Sequence, residues 1–187
     1  MVESIAKANI TDFELIDLAK DGDENAFRLL VERHKSKVAS TIYGMIGNCD
    51  VADDIGQEVF IRFFNSMNKF RGESSLSTYL VRIAINLTLN EIKRQKRRSI
   101  FSFDKILESG SDIAESGNDF SATEDKEAVQ RAIQLLSIKY RTVIVLRLID
   151  GYSTEETAKL LNIPLGTVLS RLQRAQVKLK EYLNKQL

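Results

Sequence analysis

A single proline, Pro164, punctuates a chain of 187 residues. Proline removes a backbone donor and blocks the preceding helical turn, so its near absence leaves helices free to run. Apolar residues recur three and four apart through most of the sequence, and strand-like alternation is nearly absent. The nine glycines fall mostly at the gaps between these periodic stretches. The pattern predicts an all-α protein.

The periodicity predicts helices over residues 12–20, 24–46, 51–68, 76–97, 124–136, 139–149, 154–161 and 165–184. In the second, Phe27, Leu30, Val31, Val38, Ile42, Met45 and Ile46 share one spacing until Gly47-Asn48 stops it. In the fourth, the stripe is Leu76, Tyr79, Leu80, Ile83, Ala84, Leu87 and Ile92. The first four helices can therefore bury one common core. Residues 99–123 differ in kind: six serines, Gly110, Gly117 and five acids sit there without a helical period. That composition reads as a flexible acidic linker. The expected organisation is two small helical domains, 1–98 and 124–187, joined by the linker 99–123, with a helix-turn-helix in the C-terminal domain.

One cysteine (Cys49) and one histidine (His34) exclude a disulfide framework and a Cys/His zinc site. His34, with no evident nucleophile partner, reads as a helix-surface residue. No phosphate-binding glycine loop or metal-ligand cluster is visible, so the chain is expected to be no enzyme and to need no cofactor. Residues 1–20 lack an apolar signal core, and no run approaches the roughly 18 apolar residues of a membrane span. A cytoplasmic protein with no membrane insertion of its own is expected. The formal net charge is +1, but the charges are segregated. Acids outnumber bases seven to three over 1–30 and eight to two over 104–127, while bases lead five to one over both 91–98 and 165–187. Two basic blocks flank an acidic segment, a distribution suited to nucleic acid despite the near-zero sum.

Near the C-terminus, Ser153-Thr154-Glu155-Glu156 fits a capping box. Asn162 occupies a tight turn where a left-handed backbone is tolerated, and Pro164 stands at the start of the next helix. Ala158 is the small residue expected where the two helices cross. Val168, Leu172, Ala175 and Leu179 form the inward stripe of the last helix. Thr167, Ser170, Arg171, Arg174 and Lys178 remain outside, the residue types that reach base edges and phosphates from a helix in the major groove. The bland alternative is a helix pair whose charged face is solvated.

In the helix at 51–68, Ala52, Ile55, Val59, Phe60, Phe63 and Met67 fall on one broad side. Asp54, Gln57, Glu58 and Asn65 fall on the other, with Ile61 among them beside Arg62. An apolar residue ringed by acids and amides resembles a small interface centre with a polar rim. The acids of the first turn also complement the helix dipole.

These segments carry a family likeness. Asp53-Asp54-Ile55-Gly56-Gln57-Glu58-Val59-Phe60-Ile61-Arg62, Phe70 through Leu80, and Arg82-Ile83-Ala84-Ile85-Asn86 resemble conserved region two of bacterial sigma factors. Tyr140 through Val143, Gly151-Tyr152-Ser153, and Ile163 through Leu172 resemble region four. With no third domain between them, the layout is similar to the extracytoplasmic-function (ECF) group of the sigma-70 family. The resemblance implies that Asp54, Gln57, Glu58, Ile61 and Arg62 bind core RNA polymerase, at the clamp helices of its largest subunit, with region four on the flap of the second. It implies that Phe70, Arg71, Gly72, Glu73, Ser74 and Ser75 form a loop receiving a flipped base of the promoter −10 element. Thr78, Tyr79, Arg82 and Asn86 would line the adjoining helix, and the basic end with Lys93, Arg94 and Arg97 would meet phosphates. Thr167, Ser170, Arg171 and Arg174 would read the −35 element, with Lys178 on a phosphate. An anti-sigma factor is the inhibitory partner the family implies. Three positions depart from the family pattern: Gly56 inside a helix, Tyr79 where tryptophan is frequent, and Leu169 in place of a commoner polar or basic residue. The competing reading is a stand-alone helix-turn-helix regulator with residues 1–97 as effector or dimerisation domain; it leaves the Ile61 face and the basic helix end unexplained.

Overall fold

The structure, a computed structural model, describes residues 10–47, 49–106 and 124–184. Those residues form helices and connecting turns, without a strand among them. Helix α1 spans Asp12–Lys20, α2 Glu24–Ile46 and α3 Asp50–Ser66, the last followed by a 3-10 turn at Met67–Lys69. Helix α4 spans Leu76–Ile106, α5 Glu124–Leu135 and α6 Ile138–Ile144, which passes into a π turn at Val145–Ile149. Helices α7, Thr154–Leu161, and α8, Leu165–Asn184, complete the chain.

The helix starts follow local chemistry. Thr11 and Glu14 form a capping box at α1, with Thr11 N–H donating to Glu14 Oε2 at 2.7 Å. Asp23 caps α2 by accepting from the N–H groups of Asn25 and Ala26. Gly47 ends α2 at φ 93°. The end of α4 departs from expectation: the helix continues nine residues past 97 instead of giving way to a linker at 99. Residues 98–106 contain neither proline nor glycine, so nothing in the backbone chemistry stops it. The rest of the expected linker, 107–123, lies outside the described residues. The expected helix at 139–149 likewise changes form, its last five residues widening into the π turn.

Leu15, Ile16, Leu30, Ile42, Val59, Phe63 and Leu80 are fully buried and join α1 to α4 in one core. His34 belongs to the inside of this unit, contrary to its expected surface position. It is 8% exposed, and its Nε2 lies 2.9 Å from Asp12 Oδ2. Arg33 binds the other Asp12 oxygen at 2.6 Å, so one carboxylate at the head of α1 fastens that helix to α2. Ile133, Leu136, Ile144 and Ala175 form a second core from α5, α6 and α8. In the helix-turn-helix, the fully buried small residue is Thr157, while Ala158, expected there, is half-buried. Asn162 adopts the left-handed backbone, at φ 51°.

A third cluster joins the two ends of the chain. Met45, Val81 and Ile85 from α2 and α4 pack with Val145, Leu146, Tyr152 and Leu160. Gly44 makes this approach possible, since a Cβ there would lie 2.8 Å from both Val145 methyl groups. Three carbonyls in the last turn of α2 accept hydrogen bonds from across the contact, that of Tyr43 in addition to the Gly47 N–H it already holds. Gln130 donates to the Tyr43 carbonyl at 3.1 Å, Gln134 to that of Gly44 at 3.1 Å, and Arg141 to that of Met45 at 2.7 Å. Asp150, whose side chain is 1% exposed, accepts from Ser40 Oγ at 2.8 Å and Thr41 Oγ1 at 2.7 Å. Lys37 donates to the Asp150 carbonyl and lies 4.7 Å over the Tyr152 ring. The two helical units are thus closed on one another through both apolar and polar contacts.

Candidate nucleic-acid interface

The 3-10 turn after α3 delivers Phe70 into a row of aromatic rings. Phe70 stacks on Phe13 at 6.0 Å and meets Tyr79 edge-on at 5.1 Å and Phe63 at 6.3 Å. Beyond Phe70 the chain turns at Gly72, φ 72°. Lys69, Phe70, Arg71, Gly72, Glu73, Ser74, Tyr79 and Arg82 enclose a cavity of about 270 Å³. Seven of the expected loop and helix residues therefore meet around one polar concavity with cationic groups at its rim. Ser75 and Thr78 sit apart from it. Thr78 N–H donates to Ser75 Oγ at 3.2 Å, and their hydroxyls are 2.9 Å apart, so the pair caps α4.

Asn86 faces a different cavity, of about 460 Å³, with Arg62, Asn65, Ser66, Tyr79 and Ile83. Tyr79 walls both spaces, and its hydroxyl lies 3.2 Å from Ser66 Oγ. Asn65 was visible in the sequence on the polar side of its helix but was not assigned to this site; the crossing of α3 and α4 puts it there. Farther along α4, Lys93 and Arg97 are exposed. Arg94 is engaged with Glu91 at 2.6 Å, and that hydrogen bond holds the Glu91 carboxyl below the usual range.

The residues expected on α3 divide between two grooves. Asp54, Glu58 and Arg62 line one of about 560 Å³ against α4, together with Arg94 and Arg97. Glu58 and Arg62 form an ion pair at 2.7 Å. Gln57 and Ile61 line the other, of about 600 Å³, against Val31, Val38 and Tyr43 of α2. Gly56 lies on its wall and has open space where a Cβ would be. Ile61 is 53% exposed and Phe64, one turn on, is 51% exposed. Phe64 was missed, although the spacing Gln57, Ile61, Phe64 continues the same helical face.

At the other end, Ser153 and Glu156 close the capping box on α7, with Ser153 N–H donating to Glu156 Oε2 at 2.7 Å. Hydrogen bonding to that carboxyl from the Ser153 backbone N–H and, second, from the Ser153 hydroxyl holds Glu156 below its usual pKa. On α8, Val168 and Ala175 are buried, whereas Ser170, Arg174 and Lys178 are exposed and Thr167 and Arg171 half-buried. Ser170 Oγ donates to the Thr167 carbonyl at 3.1 Å. Tyr140 of α6 joins this face, a residue not foreseen as part of it. Arg174 hydrogen-bonds its hydroxyl and, with the charges of Lys139 and Lys178, lowers its pKa. The resulting surface is basic and borne mainly on α8, with Tyr140 of α6 beside it. Among the described residues no cluster of acidic, histidine and cysteine side chains is arranged to hold a metal ion, and no helix is long and apolar enough to cross a membrane.

Comparison with known proteins bears on both surfaces. Residues 30–98 match the family described as Sigma-70 region 2, and residues 126–179 match Sigma-70, region 4. The chain is 38% identical over 175 residues to the ECF RNA polymerase sigma-E factor of Escherichia coli K12, covering 89% of this chain and 91% of that one. It is 37% identical over 176 residues to the ECF RNA polymerase sigma factor SigW of Bacillus subtilis 168, covering 90% and 94%. Among solved structures, CnrH in complex with the cytosolic domain of CnrY is similar with a TM-score of 0.67 and 25% identity, over 93% of this chain and 97% of CnrH. The sigma factor RpoE, solved with the anti-sigma factor NepR from Bartonella quintana, has the same fold with a TM-score of 0.67 at 22% identity, over 84% and 96%. A stand-alone regulator is not favoured by matches that also cover residues 30–98.

Proposed function

The chain belongs to the sigma-70 family, as an ECF sigma factor that directs RNA polymerase to promoters, and from that premise we propose how its surfaces divide the work. The cavity between Phe70–Ser74 and Tyr79 with Arg82 carries the reading: it receives one unpaired base of the −10 element. Aromatic stacking on Tyr79 and Phe70 contributes on the order of 1–3 kcal/mol per base, and Arg71 and Arg82 attract the phosphates beside it. Melting is stabilised by capture of the unpaired strand, with no covalent step in this chain. Lys93 and Arg97 continue the phosphate track, and Asn86 contacts the strand from the adjoining cavity. Ser75 and Thr78 act by fixing the start of α4.

Helix α8 reads the −35 element from the major groove through Thr167, Ser170, Arg171 and Arg174, with Lys178 on a phosphate. Residues 1–98 and 124–187 are the two promoter-reading domains. The Ile61 face, with Asp54, Gln57, Glu58 and Arg62, docks on the clamp helices of the largest polymerase subunit, and the C-terminal domain on the flap of the second. An anti-sigma factor competes for these surfaces, in the cytoplasm. In support, CnrH, of the same fold, is solved with the cytosolic domain of CnrY bound. Pull-downs under non-inducing conditions should recover a small inhibitory protein; recovery of polymerase alone would count against it.

Run-off transcription with purified core polymerase over a randomised promoter library tests the whole reading. Transcripts that depend on this chain should share two upstream elements. Ile61→Arg and Glu58→Arg should each abolish them by preventing holoenzyme assembly while leaving helix content unchanged by circular dichroism. DNA binding by the chain alone, with no dependence on core polymerase, would overturn it.

A further inference from the structure

We propose that Leu165 and Leu169 form an apolar reading strip that selects thymine methyl groups in the −35 element, an inference that rests on the placement of α8 in the major groove. The two leucines are four residues apart and therefore stand one above the other on the helix. They are 42% and 50% exposed. Neither serves the core as Val168 and Ala175 do, both of which are completely buried. They occupy the first two turns of α8, the part of a recognition helix that reaches base edges. At 100° per residue, Leu169 lies midway between the buried Val168 and the exposed Ser170, on the Ser170 flank of the reading surface and opposite Lys178.

The chemistry of the occupant follows from the surroundings. A protein partner needs about 800 Å² of contact on each side, far more than two leucines supply, and the exposed residues farther along the helix are mostly polar or basic, Gln173, Arg174, Gln176, Lys178 and Lys180, with Val177 the apolar exception. Duplex DNA suits that basic setting, and the apolar feature of its major groove is the C5 methyl of thymine. A leucine can neither donate nor accept a hydrogen bond. Set against the edge of a G·C pair, it would displace water from polar atoms without replacing the lost bonds. Leu169 therefore selects in two ways, by burying a methyl group and by rejecting edges that offer none. This gives a physical meaning to its departure from the polar or basic residue frequent at that position.

Deoxyuridine provides the test, because it keeps thymine's pairing and removes only the methyl group. Holoenzyme containing the full chain is measured by competition binding on promoter duplexes recovered from a randomised library, each −35 thymine being replaced by deoxyuridine in turn. At one or two positions the replacement should weaken the wild type about fourfold, the value of one buried methyl. Leu169→Ala should lose that thymine-over-uracil preference, and Leu169→Met, which stays apolar, should keep it. Arg174→Ala should weaken binding to both duplexes alike. Equal binding of thymine and uracil duplexes at every −35 position, with the Arg174→Ala effect intact, overturns the leucine strip and leaves α8 on DNA. If Arg174→Ala has no effect either, the placement of α8 falls, and the strip with it.

Discussion

At Gly72 the backbone turns through φ 72°, and a methyl group there would lie 2.6 Å from the Phe13 ring. An alanine is disfavoured in the left-handed region by about 1–2 kcal/mol, before the collision with Phe13 is counted. Gly72→Ala should therefore slow open-complex formation, with 2-aminopurine fluorescence at the −10 element as the readout. Adding Phe13→Ala should recover the part due to collision and leave the backbone part. The legibility of single residues differed with the range of their partners. Phe70, Gly72, Tyr79 and Arg82 were legible because they share one short segment and its adjoining helix. Ser75 and Thr78 were not separable from them, since a hydroxyl at a helix start looks alike whether it caps the helix or meets a ligand. His34 was misplaced because its partner, Asp12, is 22 residues away, and no local pattern connects the two.

Helix ends were readable wherever a stop or start signal was present. The expected bounds of α1, α2, α7 and α8 coincide with the observed Asp12–Lys20, Glu24–Ile46, Thr154–Leu161 and Leu165–Asn184, each opened by a cap or a proline. The end of α4 carried no such signal, and its serines and acids imitated a loop in composition alone. The π turn was equally invisible, because it arises where Asp150 N–H bonds back to the Val145 carbonyl at 2.8 Å as the chain meets α2. The capping box of α7 gives this scale its prediction. Ser153→Ala should destabilise the fold by about 1 kcal/mol in chemical denaturation. The Glu156 carboxyl is held below its usual value of 4.5, so its contribution is complete above that pH and disappears as the pH falls through the lower, folded value. Glu156→Gln should accordingly flatten the melting temperature of the chain across that acidic window.

For the whole molecule, the expectation of two small helical domains joined by a linker left open whether the two would touch, and the contact between them came from the structure. The apolar periodicity that marks Met45, Val81, Val145 and Leu146 as buried does not tell which element buries them. Asp150 is the polar centre of that contact: truncating its side chain would leave Ser40 without its acceptor and Thr41 with the Lys37 carbonyl alone, while Lys37 would keep the Asp150 carbonyl and lose the carboxylate 3.9 Å away. Asp150→Ala should weaken closure by about 1–3 kcal/mol, seen as a larger radius of gyration in small-angle scattering. An unchanged radius would show that the apolar cluster suffices. Closure also sets a limit of length. A compact chain of this size is roughly 40 Å across, whereas −35 and −10 elements about 25 base pairs apart are separated by roughly 85 Å of duplex. The shut molecule is shorter than the distance it must measure. Ile106 and Glu124 bound 17 intervening residues, which covalent geometry allows to extend to roughly 60 Å. A chain of that length lets the two reading heads part, and its length alone does not fix how far. On the proposed division of −10 and −35 reading between the two units, discrimination between promoters that differ only in spacing should therefore appear only once polymerase holds the heads apart, which binding measurements with and without core polymerase would check.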